Sequence, residues 1–270
     1  MENEYQINGL TYCAICNKPK QMRTKRGIRN VLCECERIER DNRERSDRIA
    51  KNVRNCWSDY NDRQRMHYGR RLDDLEQSDH VRAAKMYVAH FAENREEGRG
   101  LLITGDVGTG KSTLAAAIVN DLLRTGITAR FTNFSHIADN MKAKTIAEQE
   151  GYRKLLTRVG LLVIDDYGIE RSSGDMYKLM YDIINARYEA MNPIIITTNI
   201  PIQEITKATS ISDKRLNERL YHRNKQIKMD GVSIRRMDVR KEFQSQKKVE
   251  DIARGLEQNR DSLKTASVGF

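Results

Sequence analysis

Gly100-Leu-Leu-Ile-Thr-Gly105-Asp-Val-Gly-Thr-Gly-Lys111-Ser112 is the stretch that decides the fold of this chain. Its second half matches G-x-x-x-x-G-K-[ST], a pattern in which a glycine-rich turn curls backbone N–H groups around phosphate oxygens. The apolar run GLLIT precedes the turn, and the helical pattern STLAAAIVNDLL follows it. Glycines avoid Cβ clashes in such a turn, and the amino terminus of the helix favours anions. The sequence therefore predicts a phosphate-binding loop between a buried strand and a helix.

This loop is expected to bind ATP together with Mg²⁺. Lys111 is predicted to reach the β- and γ-phosphates, and the Ser112 hydroxyl is predicted to ligate Mg²⁺. The alternative is a fortuitous glycine-rich turn before a helix, which the agreement of motif and context disfavours. The predicted nucleotide-binding residues are Gly105, Asp106, Val107, Gly108, Thr109, Gly110, Lys111, Ser112 and Thr113.

A second strand ends in paired acids. Leu161-Leu-Val-Ile is followed by Asp165 and Asp166, the Walker B pattern. We expect Asp165 to hold Mg²⁺ through water and Asp166 to orient or deprotonate the attacking water. Paired acids after a strand can instead cap the following turn, so the expectation depends on the phosphate-binding loop upstream.

Strands and helices alternate from Gly98 onward. The runs GLLITG, ITARFTNF, VGLLVIDD and NPIIITTN are predicted to be buried strands, with helical segments between them. This alternation predicts the α/β class, a three-layer parallel sheet with helices on both faces. The predicted divisions are a cysteine-bearing module (1–35), a charged helical linker (36–97), the ATPase core (98–242) and a polar tail (243–270). Acid–base pairs at i,i+4 spacing support the linker helix only weakly, so it needs a neighbour or a partner.

Four cysteines form two pairs near the N-terminus, Cys13-x-x-Cys16 and Cys33-x-Cys35. Four thiolates suit a tetrahedral structural Zn²⁺ site. A segment this short buries little core, and zinc binding can supply the missing folding energy. The intervening residues predict a hairpin that turns at Gly27. Reduced, unligated cysteines in a flexible arm and an iron–sulfur cluster are the alternatives.

The composition points to a polyanionic partner and away from membranes. The net charge of +10 favours nucleic acid, although an excess of charge can also serve solubility. No apolar run approaches the length of a membrane span, and MENEYQINGL has neither the basic nor the apolar region of a signal peptide. We therefore expect a cytoplasmic protein with no membrane contact.

Taken together, these motifs resemble the DnaC/DnaI/IstB branch of AAA+ ATPases over roughly residues 98–242. The narrower features are the DDYG form of Walker B and the segments NARYEAMNPIIITTNIP, SDKRLNERL and GVSIR. The resemblance implies a P-loop AAA+ core with a parallel five-stranded sheet. It also implies Asn199 as sensor 1, Arg219 as the arginine finger and Arg235 as sensor 2. Arg215 lies one helical turn before Arg219 and competes for the finger role. The alternative for both arginines is an ordinary surface arginine, and the alternative for Asn199 is an ordinary turn residue.

The resemblance further implies a helicase loader. Such a protein binds a hexameric DnaB-type replicative helicase through its zinc region and delivers it to single-stranded DNA during replication initiation. An arginine finger implies a homo-oligomer with ATP at the subunit interfaces. Asp166 stands where many AAA+ enzymes carry Glu, so slow hydrolysis used as a switch is expected.

Two other functions remain open. An IstB-like transposition ATPase would act on duplex DNA with a transposase, and a nucleotide-gated adaptor would bind ATP without hydrolysis. The zinc pairs disfavour the first and the intact Walker B pattern disfavours the second. For each candidate DNA contact, a packing or solvated role is the commoner alternative. The candidates are Phe134, Lys142, Lys144, Tyr152, Arg153 and Lys154.

Overall fold

The computed structural model describes residues 4–60, 69–168, 174–201 and 211–229. Four short strands come first: β1 (Glu4–Ile7), β2 (Leu10–Cys13), β3 (Gln21–Thr24) and β4 (Gly27–Asn30). The later elements are α1 (Glu34–Cys56), α2 (Asp79–Ala89), α3 (Phe91–Glu96), β5 (Gly100–Gly105), α4 (Lys111–Arg124), β6 (Ala129–Thr132), α5 (Phe134–Lys142), α6 (Ile146–Arg158), β7 (Leu161–Ile164), α7 (Gly174–Glu189), β8 (Ile194–Thr198), α8 (Ile211–Arg223) and β9 (Asn224–Met229).

Strands β5 to β9 form one parallel sheet in the order β6-β7-β8-β5-β9. The predicted α/β class and five-stranded parallel sheet are confirmed. The four predicted apolar runs supply β5, β6, β7 and β8. The fifth strand, β9, has no such run, because it lies at the edge of the sheet and half of its residues are exposed.

Helices cover both faces of the sheet, which gives the predicted three layers. Alternate side chains of each strand point to opposite faces, so each face has its own apolar cluster. On β5, Leu101 and Ile103 pack with α2 and α4, whereas Leu102 packs with α5 to α8. Among the described helices, none has the length and apolar character needed to cross a bilayer.

The N-terminal residues form two hairpins. The β3–β4 hairpin that the sequence predicts is present, and Gly27 takes a φ of +112° at its turn. A second hairpin, β1–β2, turns at Asn8 and Gly9, both of which have positive φ. The Asn-Gly pair is a strong signal for a two-residue hairpin turn, so the sequence contains the information for this element as well.

Helix α1 carries the charged pattern and ends on the core. Its i,i+4 pairs include Arg43 with Glu39, and the side chains along most of its length are exposed. At its carboxyl end Cys56 is buried, and the following Trp57 stacks on Phe131 of β6 with ring centroids 4.7 Å apart. The parallel sheet is thus the neighbour against which the carboxyl end of this helix packs.

A buried ion pair fixes the segment after α1 to the sheet. Arg130 of β6 forms a salt bridge with Asp59, and the two side chains are only 7% and 2% exposed. The Arg130 guanidinium also donates to the Asn55 carbonyl oxygen at 2.6 Å. Asn140 Nδ2 and the Tyr152 hydroxyl donate to the Asp59 carboxylate at 2.9 and 3.2 Å. Each charge is therefore compensated, which a buried ion pair requires.

A second buried arginine joins α7 to the end of α6 and to the residue before β8. Arg187 of α7 is fully buried and donates to the carbonyl oxygens of Leu156, Val159 and Pro193 at 2.6 to 3.0 Å. Burial lowers the pKa of Arg187 to about 9. One side chain thereby satisfies backbone carbonyl oxygens at the end of α6 and directly before β8.

We predict that Asp59→Ala lowers the free energy of unfolding by about 3 kcal/mol, because it leaves the Arg130 charge buried without a counter-charge. Urea denaturation followed by the fluorescence of Trp57, the only tryptophan, measures this. Asp79→Ala is the matched control, since its pair with Arg82 is exposed on both sides and is worth about 0.5 kcal/mol or less. Equal effects of the two substitutions would contradict the prediction.

Candidate functional site

The phosphate-binding loop connects β5 to α4 as the sequence predicts. Gly105 has a φ of +148°, and a Cβ there would lie 2.2 Å from the Met229 carbonyl oxygen of the neighbouring strand β9. Gly110 is left-handed, with a φ of +95°, directly before the helix. Lys111 Nζ donates to the carbonyl oxygens of Gly105 and Asp106 at 2.9 and 2.7 Å. These bonds hold the ammonium group against the loop, where an anion bound by the backbone would meet it.

The acids after β7 are held by a hydroxyl from β8. Thr197 Oγ1 donates to Asp165 Oδ1 at 2.5 Å and accepts from the Asp166 backbone N–H at 3.0 Å. Asp165 is half-buried and Asp166 is exposed. The φ of Asp166 is +59°, a left-handed conformation that Asp tolerates better than most residues. Thr197 thereby fixes one carboxylate directly and the other through its backbone.

The sheet order brings the predicted ATP-site residues to one edge. Strand β8 pairs with both β5 and β7, so Asn199, which follows β8, lies between the phosphate-binding loop and the Asp165–Asp166 pair. In a parallel sheet the segments that follow the strands all emerge at the carboxyl edge, where ligands bind. Asn199 is exposed there, and Ser112 is half-buried at the start of α4.

The arginines of α8 differ in their surroundings. Arg219 Nη1 donates to the Tyr181 hydroxyl at 2.8 Å, and its guanidinium lies 5.4 and 5.7 Å from the ring centroids of Tyr181 and Tyr188. Arg215, one turn earlier, is exposed. Arg235 lies outside the described residues. The two tyrosines of α7 therefore orient Arg219, while among the described residues no comparable contact is seen for Arg215.

Two residues near this site have no motif in the sequence. Thr197 is one, although its place in the Thr-Thr-Asn end of a strand is a usable signal. Tyr60 is the other, and it packs against Phe131 and against His136, with ring centroids 5.8 and 4.6 Å apart. Burial is the largest effect that raises the pKa of Tyr60, and the negative charge of Asp165 is the next largest. Tyr60 thus brings the segment after α1 close to the acids of the ATP site.

The four cysteines come together at the start of α1. Their sulfur atoms all lie within 4.8 Å of one another, with Cys13 and Cys33 at 3.5 and 3.2 Å from Cys35. Four thiolates at about 2.3 Å from a zinc ion stand roughly 3.8 Å apart. The set therefore fits tetrahedral Zn²⁺ after small adjustments of the side chains.

Backbone N–H groups help two of these sulfurs to be anionic. The N–H groups of Cys16 and Ile15 lower the pKa of Cys13, and the N–H group of Cys35 lowers the pKa of Cys16 to about 6. Burial raises the pKa of Cys33 instead. A bound cation would offset that cost, because a metal-bound thiol is deprotonated.

The six candidate DNA contacts separate into core and surface residues. Phe134 and Tyr152 are buried, so both have a packing role, which was the alternative to DNA contact. Arg153 and Lys154 have acidic partners on the surface, Asp182 and Glu150. Lys142 is exposed, and Lys144 Nζ lies 5.8 Å from the ring centroid of Tyr152.

Comparison with known proteins gives a consistent result. A family model described as IstB-like ATP binding protein matches residues 20–242. The replicative helicase loader DnaC of Escherichia coli K12 is 32% identical over 127 residues, which cover 46% of this chain and 51% of that protein. An insertion sequence ATP-binding protein of Sinorhizobium fredii is 28% identical over 151 residues, or 53% of this chain and 58% of that protein.

Among solved structures, the crystal structure of the DnaC helicase loader aligns with a TM-score of 0.53 and 25% identity, covering 60% of this chain and 98% of that one. The chain spans about half the length of the curated relatives it matches.

We predict that Thr197→Val lowers the rate of ATP hydrolysis about tenfold at saturating ATP. The substitution removes the hydroxyl that orients Asp165, and a hydrogen bond to a charged group is worth about 1.5 to 3 kcal/mol. Thr197→Ser, which keeps the hydroxyl, is the matched control and should retain most of the activity. Equal rates for the valine variant and the unsubstituted protein would show that this contact does not support catalysis.

Proposed function

Because this chain belongs to the family of IstB-like ATP binding proteins and has a DnaC-type AAA+ core, we propose that it is an ATP-dependent loader of a replicative DNA helicase. The observation that carries the proposal is the attachment of a four-cysteine module to a P-loop core through one continuous helix. The loader would act in the cytoplasm, bind a DnaB-type hexamer and deliver it to single-stranded DNA.

The ATP site would work through its own side chains as follows. Lys111 would neutralise charge on the β- and γ-phosphates, and Asn199 would position water against the γ-phosphate. Asp166, which is exposed at the carboxyl edge, would orient that water. Ser112 and Asp165 would hold Mg²⁺, whose charge offsets that of the phosphates. Because the Asp166 side chain is shorter than that of Glu, we expect slow hydrolysis that serves as a switch.

Arg219 would complete the site of a neighbouring subunit. Its guanidinium is oriented by Tyr181 and Tyr188, and a preoriented cation stabilises developing charge without a large entropic cost. Hydrolysis would then require a homo-oligomer with ATP at the subunit interfaces. Arg235, predicted as sensor 2, remains part of the proposal on the basis of its motif alone.

The N-terminal module would contact the helicase. Several of its apolar side chains are exposed, with Ile15 at 68% and Leu32 at 49%, and Ile38 of α1 at 53%. Exposed apolar side chains that lie close together mark protein interaction surfaces. Zn²⁺ held by Cys13, Cys16, Cys33 and Cys35 would fix the fold of this module without taking part in the reaction.

A second function has specific support. The Sinorhizobium fredii relative is named as an insertion sequence ATP-binding protein, which favours a transposition ATPase acting on duplex DNA with a transposase. The two candidates make different demands on the cysteine module, since only the loader requires it to bind a helicase.

We predict a discrete complex when this protein is mixed with the replicative helicase of its host. Size-exclusion chromatography with light scattering, run with ATP and with ADP, measures its mass. The double variant Cys13→Ser/Cys16→Ser should lose the bound zinc and the complex while it keeps ATP binding, because the core lies outside the module. Lys111→Ala is the control that loses ATP binding but keeps zinc.

If no helicase complex formed, yet the protein assembled on duplex DNA with ATP, the transposition function would replace the loader. If the cysteine variant bound the helicase as well as the unsubstituted protein did, the helicase contact would lie elsewhere.

We also predict that Arg219→Ala lowers kcat for ATP hydrolysis at least a hundredfold with little change in ATP affinity, because a finger acts only on the transition state. Arg215→Ala is the matched control on the same helix and should change kcat by less than about threefold. The reverse result would assign the finger to Arg215.

Asp166→Asn should abolish hydrolysis, and undetectable turnover in the unsubstituted oligomer would favour the nucleotide-gated adaptor.

A further inference from the structure

The β3–β4 hairpin carries positive charge that the ATPase and helicase proposals do not use. Between Lys18 and Leu32 the sequence has six cations and no acid. The neighbouring helix α1 is different, because its cations alternate with acids and pair with them. The hairpin is therefore a concentrated positive surface, whereas the exposed face of α1 is nearly balanced.

Two of the six cations have partners within the module. Lys20 forms salt bridges with Glu4 and Glu36, the second at 2.6 Å. Arg23 Nη2 donates to the Asn8 carbonyl oxygen at 3.0 Å, which joins the two hairpins. The other four are exposed and have no salt bridge within the part of the chain that the structure describes; they are Lys18, Lys25, Arg26 and Arg29.

The pairing register distributes the cations around the ribbon. Met22 lies opposite Arg29, and Arg23 lies opposite Ile28. Side chains directly opposite each other share a face, and consecutive residues alternate between faces. Arg29 is thus on one face and Arg23 on the other, while Lys25 and Arg26 form the turn. Arg23 is exposed and its partner is a neutral carbonyl oxygen, so it keeps its charge, and cations on two faces and at the tip suit a ligand that surrounds the ribbon.

We propose that this β3–β4 ribbon inserts into the major groove of duplex DNA and binds the phosphates on both sides of the groove. The groove is about 12 Å wide and 8.5 Å deep and admits a two-stranded ribbon. Strands of four residues extend about 13 Å, which reaches the floor of the groove. A single strand would present phosphates to one face only, so the distribution of charge favours the duplex.

This site is separate from the proposed helicase contact. The hairpin turn is at the end of β3 and β4 away from the cysteines, whereas Ile15 lies between Cys13 and Cys16. One end of the module can therefore hold a protein while the other holds DNA. The contact is to phosphates, so we expect it to be insensitive to base sequence.

The test is fluorescence anisotropy with a labelled duplex of mixed sequence, using the full-length protein in ADP at increasing salt. Lys25→Ala/Arg26→Ala/Arg29→Ala should weaken duplex binding at least about tenfold at 100 mM salt. It should also reduce the slope of log affinity against log salt by roughly 2 to 3, since each phosphate contact contributes about 0.9. Zinc content and ATPase rate should not change.

Two control variants isolate the position and the charge. Arg43→Ala/Arg45→Ala/Arg48→Ala removes the same charge from α1 and should keep most of the slope. The charge-conserving Lys25→Arg/Arg26→Lys/Arg29→Lys should keep it fully, since phosphates respond to charge rather than to a particular cation.

The proposal is overturned if the hairpin variant keeps the duplex slope, or if the α1 variant loses as much. It is also overturned if the hairpin variant loses only single-stranded DNA binding, because the hairpin would then contact a single strand. Unchanged duplex binding with loss of the helicase complex would overturn it as well, because the hairpin would then contact a protein. Failure of the helicase complex in the unsubstituted protein concerns the loader proposal and leaves this test intact.

Discussion

The position of β8 between β5 and β7 is the constraint on which the ATP site depends. This order brings the phosphate-binding loop, the acids after β7 and Asn199 to one edge. It also places the Thr197 hydroxyl against Asp165, so the backbone pairing of the sheet fixes the geometry of the acids. A parallel sheet must be covered on both faces, and the two apolar clusters satisfy this requirement.

The buried Asp59–Arg130 pair joins the carboxyl end of α1 to the sheet. Trp57 and Tyr60 both pack on Phe131 of β6, and the negative charge of Asp165 contributes to the raised pKa of Tyr60. The segment after α1 therefore packs on β6, the strand that pairs with β7, which the two acids follow.

Local patterns predicted many of the elements, and particular residues show why others were missed. Continuous apolar runs identify β5 to β8, because strands buried on both faces leave no polar positions. Strand β9 was missed because edge strands are half exposed. Phe134 and Tyr152 were candidate DNA contacts, yet both lie in the core. The sequence carries no signal that Arg187 is buried, yet it donates to three backbone carbonyl oxygens in the interior.

The sequence by itself determined the fold class and the positions of the glycine-rich loop, the paired acids after β7 and the cysteine set, since each of these depends on local patterns. Only the tertiary structure decided which residues support them. Thr197 meets Asp165 across 32 positions, and Arg130 meets Asp59 across 71. Tyr181 orients Arg219 across 38 positions. Such partners are chosen by how the strands and helices pack, and a single sequence carries no periodic signal of contacts at that separation.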